Sequence, residues 1–252
     1  MARADVGAGD DAHLEPHGEA HGDHHHRDVQ GGAARAAVFG VSDGLVSNVG
    51  LILGVAGADP MPSVVRLAGL AGLIAGAISM AAGEYNSMKV QSELLERELE
   101  LERLEIRRHP ELETAELAGV YESRGMDPTQ ARELAETVMG DPEVALETHA
   151  REELGVDPGQ LGSPLGAASS SFAAFSAGAL VPLVPWFVAS GPAAAVASLL
   201  AAVVAAVAVG GAIGRFTDRP LPRTVARQIA FTLVPAVLTY AVGSAVGVGT
   251  VG

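Results

Sequence analysis

Residues 158–214 read PGQLGSPLGAASSSFAAFSAGALVPLVPWFVASGPAAAVASLLAAVVAAVAVGGAIG, and none of them is Asp, Glu, Lys or Arg. A membrane-spanning helix needs about 20 consecutive, mostly apolar residues, so a charge-free run of 57 residues is long enough for two crossings. Ser190-Gly191-Pro192 lies within the run and is the natural place for the chain to turn. The alternative interpretation is an Ala- and Gly-rich core of a soluble protein. The length of the run favours a pair of membrane spans.

Three further segments are apolar enough to cross a membrane. Residues 228–252 are charge-free, residues 67–83 form a shorter apolar run, and residues 36–58 are interrupted only by Asp43. Together with the pair above they make five spans. The sequence therefore predicts an all-α membrane protein with five transmembrane helices.

The charge of the chain is concentrated in one segment. The 252 residues carry a formal net charge of −14, and residues 84–157 hold 20 acidic and 8 basic side chains, a net charge of −12. This segment would repel phosphate, so nucleic acid is not an expected partner. The chain has no cysteine, which excludes disulfides, thiolate metal sites and cysteine nucleophiles.

The arginines predict how the spans are oriented. Basic residues precede span one, lie between spans two and three, and lie between spans four and five, whereas the opposite side has only Arg66. By the positive-inside rule the N-terminus is cytoplasmic and the C-terminus is outside. No apolar stretch follows a basic N-terminal region, so no cleavable signal peptide is expected. The preference for Arg, Ala and Gly suggests a GC-rich prokaryotic genome and hence a plasma membrane.

Four regions follow from these patterns. Residues 1–32 form a His- and acid-rich cytoplasmic tail that we expect to be disordered. Residues 33–89 contain spans one and two, and residues 161–252 contain spans three to five. Residues 90–160 form a cytoplasmic, glutamate-rich helical domain inserted between spans two and three. The tail contains six histidines that could capture metal, or it could be inert: His13, His17, His21, His24, His25 and His26.

Helices in the inserted domain are marked by their ends. Residues 85–108 read as a helix that continues out of span two and ends at His109-Pro110. Shorter helices are expected at about 111–124, 129–139 and 142–154. Asp127-Pro128 and Asp141-Pro142 provide an N-cap residue followed by proline at the first helical position of the last two.

Carboxylates of this domain share helix faces with apolar residues. Glu98, Glu102 and Glu105 lie within roughly 60° of one another around the helix axis, flanked by leucines. Buried carboxylates must be neutralised by protons, by basic partners or by a metal, and no Lys or Arg lies on this face. Facing helices that carry Glu and His commonly build sites for divalent iron or manganese. The alternative is a solubilising acidic surface. The residues that complete the predicted metal site are Glu113, Glu116, His149 and Glu153.

One membrane residue stands out for its charge. An ionised Asp43 inside span one costs about 2.5–3.5 kcal/mol on insertion scales, so it is a functional candidate. Ser42, Ser47 and Asn48 add nearby oxygens. Met80 in span two offers a thioether, a soft ligand that does not suit magnesium or calcium.

Two motifs resemble those of the vacuolar iron transporter family. They are Ser42-Asp43-Gly44-Leu45 in span one and GAISMAAGEY, residues 76–85, in span two. The glutamate-rich insert and the five spans are also similar. The resemblance implies a homodimeric, proton-coupled exporter of ferrous iron or manganese from the cytosol. It also implies that Asp43 and Met80 line the transport path, and that the glutamates Glu102, Glu105, Glu113, Glu116 and Glu153 bind metal in the insert.

This sequence departs from the plant-type pattern of that family at two places. Plant-type members carry methionines in the last helix of the insert, where this chain has His149 and Ala150. They also carry an acid in span two, one turn before Gly76, where this chain has Gly72. Proton coupling would then depend on Asp43 or Glu84.

The combined hypothesis is a transporter and not an enzyme, with no cofactor besides Fe²⁺ or Mn²⁺ as transported and regulatory ions. Its expected partners are divalent metal ions, the lipid bilayer and a second copy of the chain. Two alternatives remain open at this point: a membrane-tethered ferroxidase and a metal sensor that transports nothing. A ferritin-like di-iron site requires paired Glu-x-x-His motifs, which the sequence lacks.

Overall fold

The computed structural model describes residues 32–153, 155–156 and 162–248. The predicted His-rich tail, residues 1–32, lies outside these residues except for its last position. The described residues form nine helices: α1 Gly32–Gly57, α2 Pro62–Arg108, α3 Pro110–Ser123, α4 Pro128–Met139, α5 Pro142–Glu152, α6 Pro164–Leu183, α7 Pro185–Val188, α8 Gly191–Phe216 and α9 Leu221–Val248.

Five helical segments in the described part are long and apolar enough to cross a membrane. Four of them belong to α1, α2, α8 and α9, and the fifth combines α6 with the short α7 as Pro164–Val188. The predicted all-α membrane fold with five spans is confirmed. The turn predicted at Ser190-Gly191-Pro192 is also confirmed, since α7 ends at Val188 and α8 begins at Gly191, where φ is +61°.

Helix α2 is far longer than a bilayer is thick. Its 47 residues span about 70 Å at 1.5 Å per residue, whereas the hydrocarbon core of a bilayer is about 30 Å. The N-terminal half is mostly apolar, and the C-terminal half carries all the glutamates of the helix except Glu84. The prediction that this helix continues out of span two without a break is therefore confirmed, and its charged half carries the inserted helices α3–α5.

The two short helices before span three begin at the predicted caps. The Asp127 side chain accepts a hydrogen bond from the backbone N–H of Thr129, and the Asp141 side chain accepts from those of Glu143 and Val144. Each aspartate satisfies donors that the first turn of a helix leaves unpaired. These caps set where α4 and α5 start, and so set which residues of α5 face α2.

The last span starts earlier than the charge-free run predicts. Helix α9 begins at Leu221 and includes Arg223 and Arg227, whereas the prediction began at residue 228. The reason is physical: arginines near a helix end can extend their guanidinium groups to the membrane surface while the backbone stays helical.

Helix α1 lies at the centre of the bundle, with α6 and α9 as its main neighbours. Close approach to α6 depends on glycine: a Cβ atom at Gly44 would collide with the carbonyl oxygen of Phe175, and one at Gly178 with that of Val41. Leu45, buried completely, fills the core beside this contact. Small residues of this kind let helix backbones pack closely in lipid, where the hydrophobic effect between helices is absent.

Candidate metal centre

Four of the predicted metal-binding side chains meet where α2, α3 and α5 pack together. Glu102 comes from α2, Glu113 from α3, His149 from α5, and Glu153 from the residue that caps α5. One potential ligand atom from each of the four lies within 4.8 Å of all the others. Atoms this close could bind one ion together.

The imidazole of His149 is the centre of this group. Its Nδ1 atom lies 3.0 Å from Oε1 of Glu153, 3.1 Å from Oε1 of Glu102 and 3.7 Å from Oε2 of Glu113. A ring nitrogen can donate only one hydrogen, so it cannot satisfy three carboxylate oxygens. Oε1 of Glu102 and Nε2 of His149 are both buried without a hydrogen-bond partner. The group therefore has more buried acceptors than donors, the arrangement that a cation would complete.

The carboxyl groups are electrostatically strained without a cation. Burial raises the pKa of Glu102, and the neighbouring charges of Glu153, Glu116 and Glu105 raise it further. Burial also raises the pKa of Glu113, with additional contributions from Glu102 and Glu116, while His149 opposes the shift. Both shifts arise because desolvation and like charges disfavour the ionised form. A divalent ion would reverse this balance.

Apolar contacts and one ion pair hold the three helices in register. Ile106 of α2 packs with Ala145 and Leu146 of α5 in a buried cluster. The guanidinium of Arg124, at the end of α3, pairs with the Glu152 carboxylate at the end of α5 through two hydrogen bonds. These contacts hold α5, and with it His149, against both α2 and the end of α3.

Two predicted ligands lie outside the four-residue group. Glu105 and Glu116 are exposed, and neither contributes an atom to the cluster of ligand atoms within 4.8 Å. Their charges still raise the pKa of Glu102. Glu98, on the same predicted face, is exposed as well.

The predicted path residues Asp43 and Met80 line one cavity among the membrane helices. The cavity has a volume of about 210 Å³ and lies between α1, α2 and α6. Phe175 of α6 also lines it, a residue that no sequence motif indicated. The other lining residues are Ser47, Asn48, Leu51, Gly72, Gly76 and Ser79.

Charged residues also meet at the end of span two. The guanidinium of Arg35, in α1, lies 3.3 Å from a carboxylate oxygen of Glu84, in α2. Glu84 is mostly buried by this arrangement, whereas Arg35 is more exposed. This ion pair joins the two helices that carry Asp43 and Met80.

A family model described as the VIT family matches residues 34–244, most of the chain. The chain belongs to the VIT family. The matched residues include every residue that lines the cavity and all four residues of the group. The resemblance seen in the two membrane motifs is thus confirmed.

Relatives of this VIT-family chain include proteins named vacuolar iron transporter. One from Acanthamoeba castellanii is 39% identical over 153 residues, which are 61% of this chain and 55% of that protein. Vacuolar iron transporter 1 of Eucalyptus grandis is 34% identical over 186 residues, 73% of this chain and 72% of that protein. Vacuolar iron transporter 1 of Arabidopsis thaliana is 32% identical over 177 residues, 69% and 71% of the two chains. The match thus spans about half the length of the Acanthamoeba protein.

Proposed function

We propose that this VIT-family protein is a transporter of ferrous iron or manganese, and not an enzyme, and that it moves the metal out of the cytosol. The observation that carries the proposal is the cavity between α1, α2 and α6. It brings a carboxylate, Asp43, and a thioether, Met80, together on the side of the single chain's apolar bundle. This ligand pair suits a borderline-soft dication better than magnesium or calcium. The names of the relatives support the same substrate class.

The cavity supports a second copy of the chain as partner. Asp43, Ser47 and Ser79 line it, yet all three are exposed in the single chain. In a bilayer such a polar stripe would face lipid, which is costly for an ionisable group. A homodimer that pairs these faces would cover Asp43 and enclose a polar route between the subunits.

The inserted helices would serve as the site that collects metal before transport. Glu102, Glu113, His149 and Glu153 offer four ligand atoms to one ion, and Glu105 and Glu116 add negative charge close by. The arginine pattern favours a cytoplasmic location for this domain. Metal bound there would be held near the cytoplasmic end of α2, the helix that also carries Met80.

Proton coupling is also part of the proposal. A dication that leaves Asp43 must be replaced by a positive charge, and a proton is the simplest replacement for a carboxylate within a membrane. The position in span two where the resemblance implies an acid is occupied by Gly72 in this chain. Asp43 is therefore the proposed coupling residue.

The experiment is metal flux in sealed proteoliposomes that contain the purified full-length protein and a metal-sensitive dye. A transporter moves Fe²⁺ or Mn²⁺ across the bilayer, and an imposed pH gradient changes the rate. A ferroxidase would consume Fe²⁺ without moving Mn²⁺, and a sensor would bind metal without flux. Either of those results would contradict the proposal.

A further inference from the structure

Asn48, on α1, is a buried polar residue whose side-chain amide has a hydrogen-bond partner at its nitrogen but none at its oxygen. It is 2% exposed, and its Nδ2 atom donates a hydrogen bond to the carbonyl oxygen of Ala179 at 2.7 Å. Its Oδ1 atom is also buried and has no hydrogen-bond partner. Buried polar atoms in proteins are almost always paired, so a buried amide oxygen without a partner calls for an explanation.

The bond to Ala179 determines which way the amide points. A backbone carbonyl oxygen only accepts hydrogen bonds, so the NH₂ group of Asn48 must face it. The amide oxygen is thereby turned away from α6 and lies against α2. It would lie 2.9 Å from a Cβ atom built at Gly72. The glycine therefore leaves room for this oxygen in the wall of the cavity.

Asn48 lines the same cavity as Asp43 and Met80. Its uncharged amide oxygen is a ligand that divalent cations accept when they lose water, and it adds no further charge to the membrane interior. A Cβ atom at Gly72 would also meet the flexible end of Leu51, another side chain that lines the cavity. A carboxylate, a thioether and an amide oxygen thus surround one space.

A structural role does not account for the oxygen. Ser198 makes a comparable buried bond between helices, donating from its hydroxyl to the carbonyl of Pro182 at 2.7 Å. A single donor is enough for such a bond. Asn48 supplies the donor and adds a second polar atom, which lies beside the cavity.

We propose that Oδ1 of Asn48 is a third ligand of the transported dication, beside Asp43 and Met80. The hydrogen bond to Ala179 positions this ligand, and Gly72 gives the oxygen its space. The inference rests on the proposed transport function, which it extends by one residue.

The test is flux of Mn²⁺ into proteoliposomes as a function of its concentration, with full-length protein. Asn48→Leu keeps the approximate volume and removes the oxygen. Gly72→Ala keeps Asn48 but places a methyl group against the oxygen and against the flexible end of Leu51. Both variants should raise the concentration that gives half-maximal flux about tenfold or more, as loss of a metal-site interaction does. Ser198→Ala, the matched control, loses a buried interhelical hydrogen bond away from the cavity and should stay within twofold of wild type.

The possible results separate the two proposals. Half-maximal concentrations within twofold of wild type for Asn48→Leu, or for Gly72→Ala if Asn48→Leu does not fold, would overturn the inference while leaving transport intact. An equal loss in Ser198→Ala would also overturn it, because the loss would then follow from helix packing. Absence of flux from the wild-type protein would overturn the proposed function itself, and the inference with it.

Discussion

Nδ1 of His149 lies 3.1 Å from Oε1 of Glu102, although the two residues belong to different helices and are 47 positions apart. Neither Oε1 of Glu102 nor the other ring nitrogen of His149 has a hydrogen-bond partner. The packing of α2 against α5 thus creates a site whose polar atoms remain unsatisfied.

Removing two carboxylates from the group should remove high-affinity metal binding. Glu102→Gln combined with Glu113→Gln keeps the side-chain shapes and withdraws two of the four ligand groups. We expect the dissociation constant for Fe²⁺ or Mn²⁺ to rise about 100-fold or more, since even indirect partners of a metal site contribute 10–100-fold. Isothermal calorimetry on the full-length protein in detergent measures this.

The matched control removes the same charge from the same two helices. Glu96→Gln combined with Glu111→Gln changes exposed residues of α2 and α3 that lie outside the four-residue group. The dissociation constant for the metal should change less than threefold, because only the screened, long-range attraction between the cation and these two charges is lost. Equal losses in the two double variants would mean that the acids act only as a diffuse charged surface.

His149 should set the metal preference of the insert. His149→Met replaces an imidazole nitrogen with a thioether. Imidazole favours Zn²⁺ and Fe²⁺, whereas Mn²⁺ depends more on carboxylates. The variant should therefore lose about tenfold in Zn²⁺ affinity and distinctly less in Mn²⁺ affinity. An unchanged ratio of the two constants, measured by competition, would exclude His149 from the site.

Without metal, the insert should become less stable as the pH rises. The folded-state pKa values of Glu102 and Glu113 lie above their ordinary value of 4.5, so the folded form binds protons more tightly than the unfolded chain. The resulting stability is complete below pH 4.5 and is lost as the pH rises through the raised values. Hydrogen exchange of α5 in EDTA should report this loss.

Comparison with the Glu102→Gln, Glu113→Gln protein isolates the effect of the two groups. Amide protection of α5 in the wild type, relative to this variant, should fall as the pH rises above 4.5. Saturating Mn²⁺ should abolish the fall, because the cation then stabilises the ionised carboxylates. A protection difference that does not vary with pH in EDTA would contradict the raised pKa values.

The close packing of α1 on α6 should not tolerate a single added methyl group. Gly44→Ala would place Cβ against the carbonyl oxygen of Phe175, a backbone atom that cannot rotate away. Overpacking typically costs 1–3 kcal/mol, so we expect a melting temperature lower by about 3 °C or more. Gly83→Ala is the control, because no atom lies within 4 Å of its added Cβ. Equal melting temperatures for the two variants would contradict the packing described for α1.

Much of this architecture could be predicted from the sequence, because charge-free runs and helix caps are local signals. Asp127 and Asp141 mark helix starts by residue type alone. Which of the six predicted ligands converge could not be predicted. Helix-face geometry groups residues on one helix, but the angles at which α2, α3 and α5 pack decide that Glu102 and Glu113 face inward while Glu105 and Glu116 stay exposed.

The role of Asn48 depends on a contact that no local pattern contains. Its orientation is set by the carbonyl of Ala179, 131 residues away. The start of α9 differs from the prediction for another reason: the charge-free run begins after Arg227, whereas the helix begins earlier and continues through this residue. Charge marks the membrane surface better than it marks the end of a helix.

The most direct test of the account is Fe²⁺ or Mn²⁺ flux into proteoliposomes by the Asp43→Asn protein, compared with wild type. The amide is nearly the same shape and easier to bury, so folding and metal binding by the insert should be preserved. The substitution removes the negative charge that offsets the hydration a dication loses inside the membrane. We predict that flux falls to the level of protein-free vesicles while calorimetry still detects the metal site of the insert. Wild-type flux from Asp43→Asn would contradict the central claim that Asp43 carries the metal across the membrane.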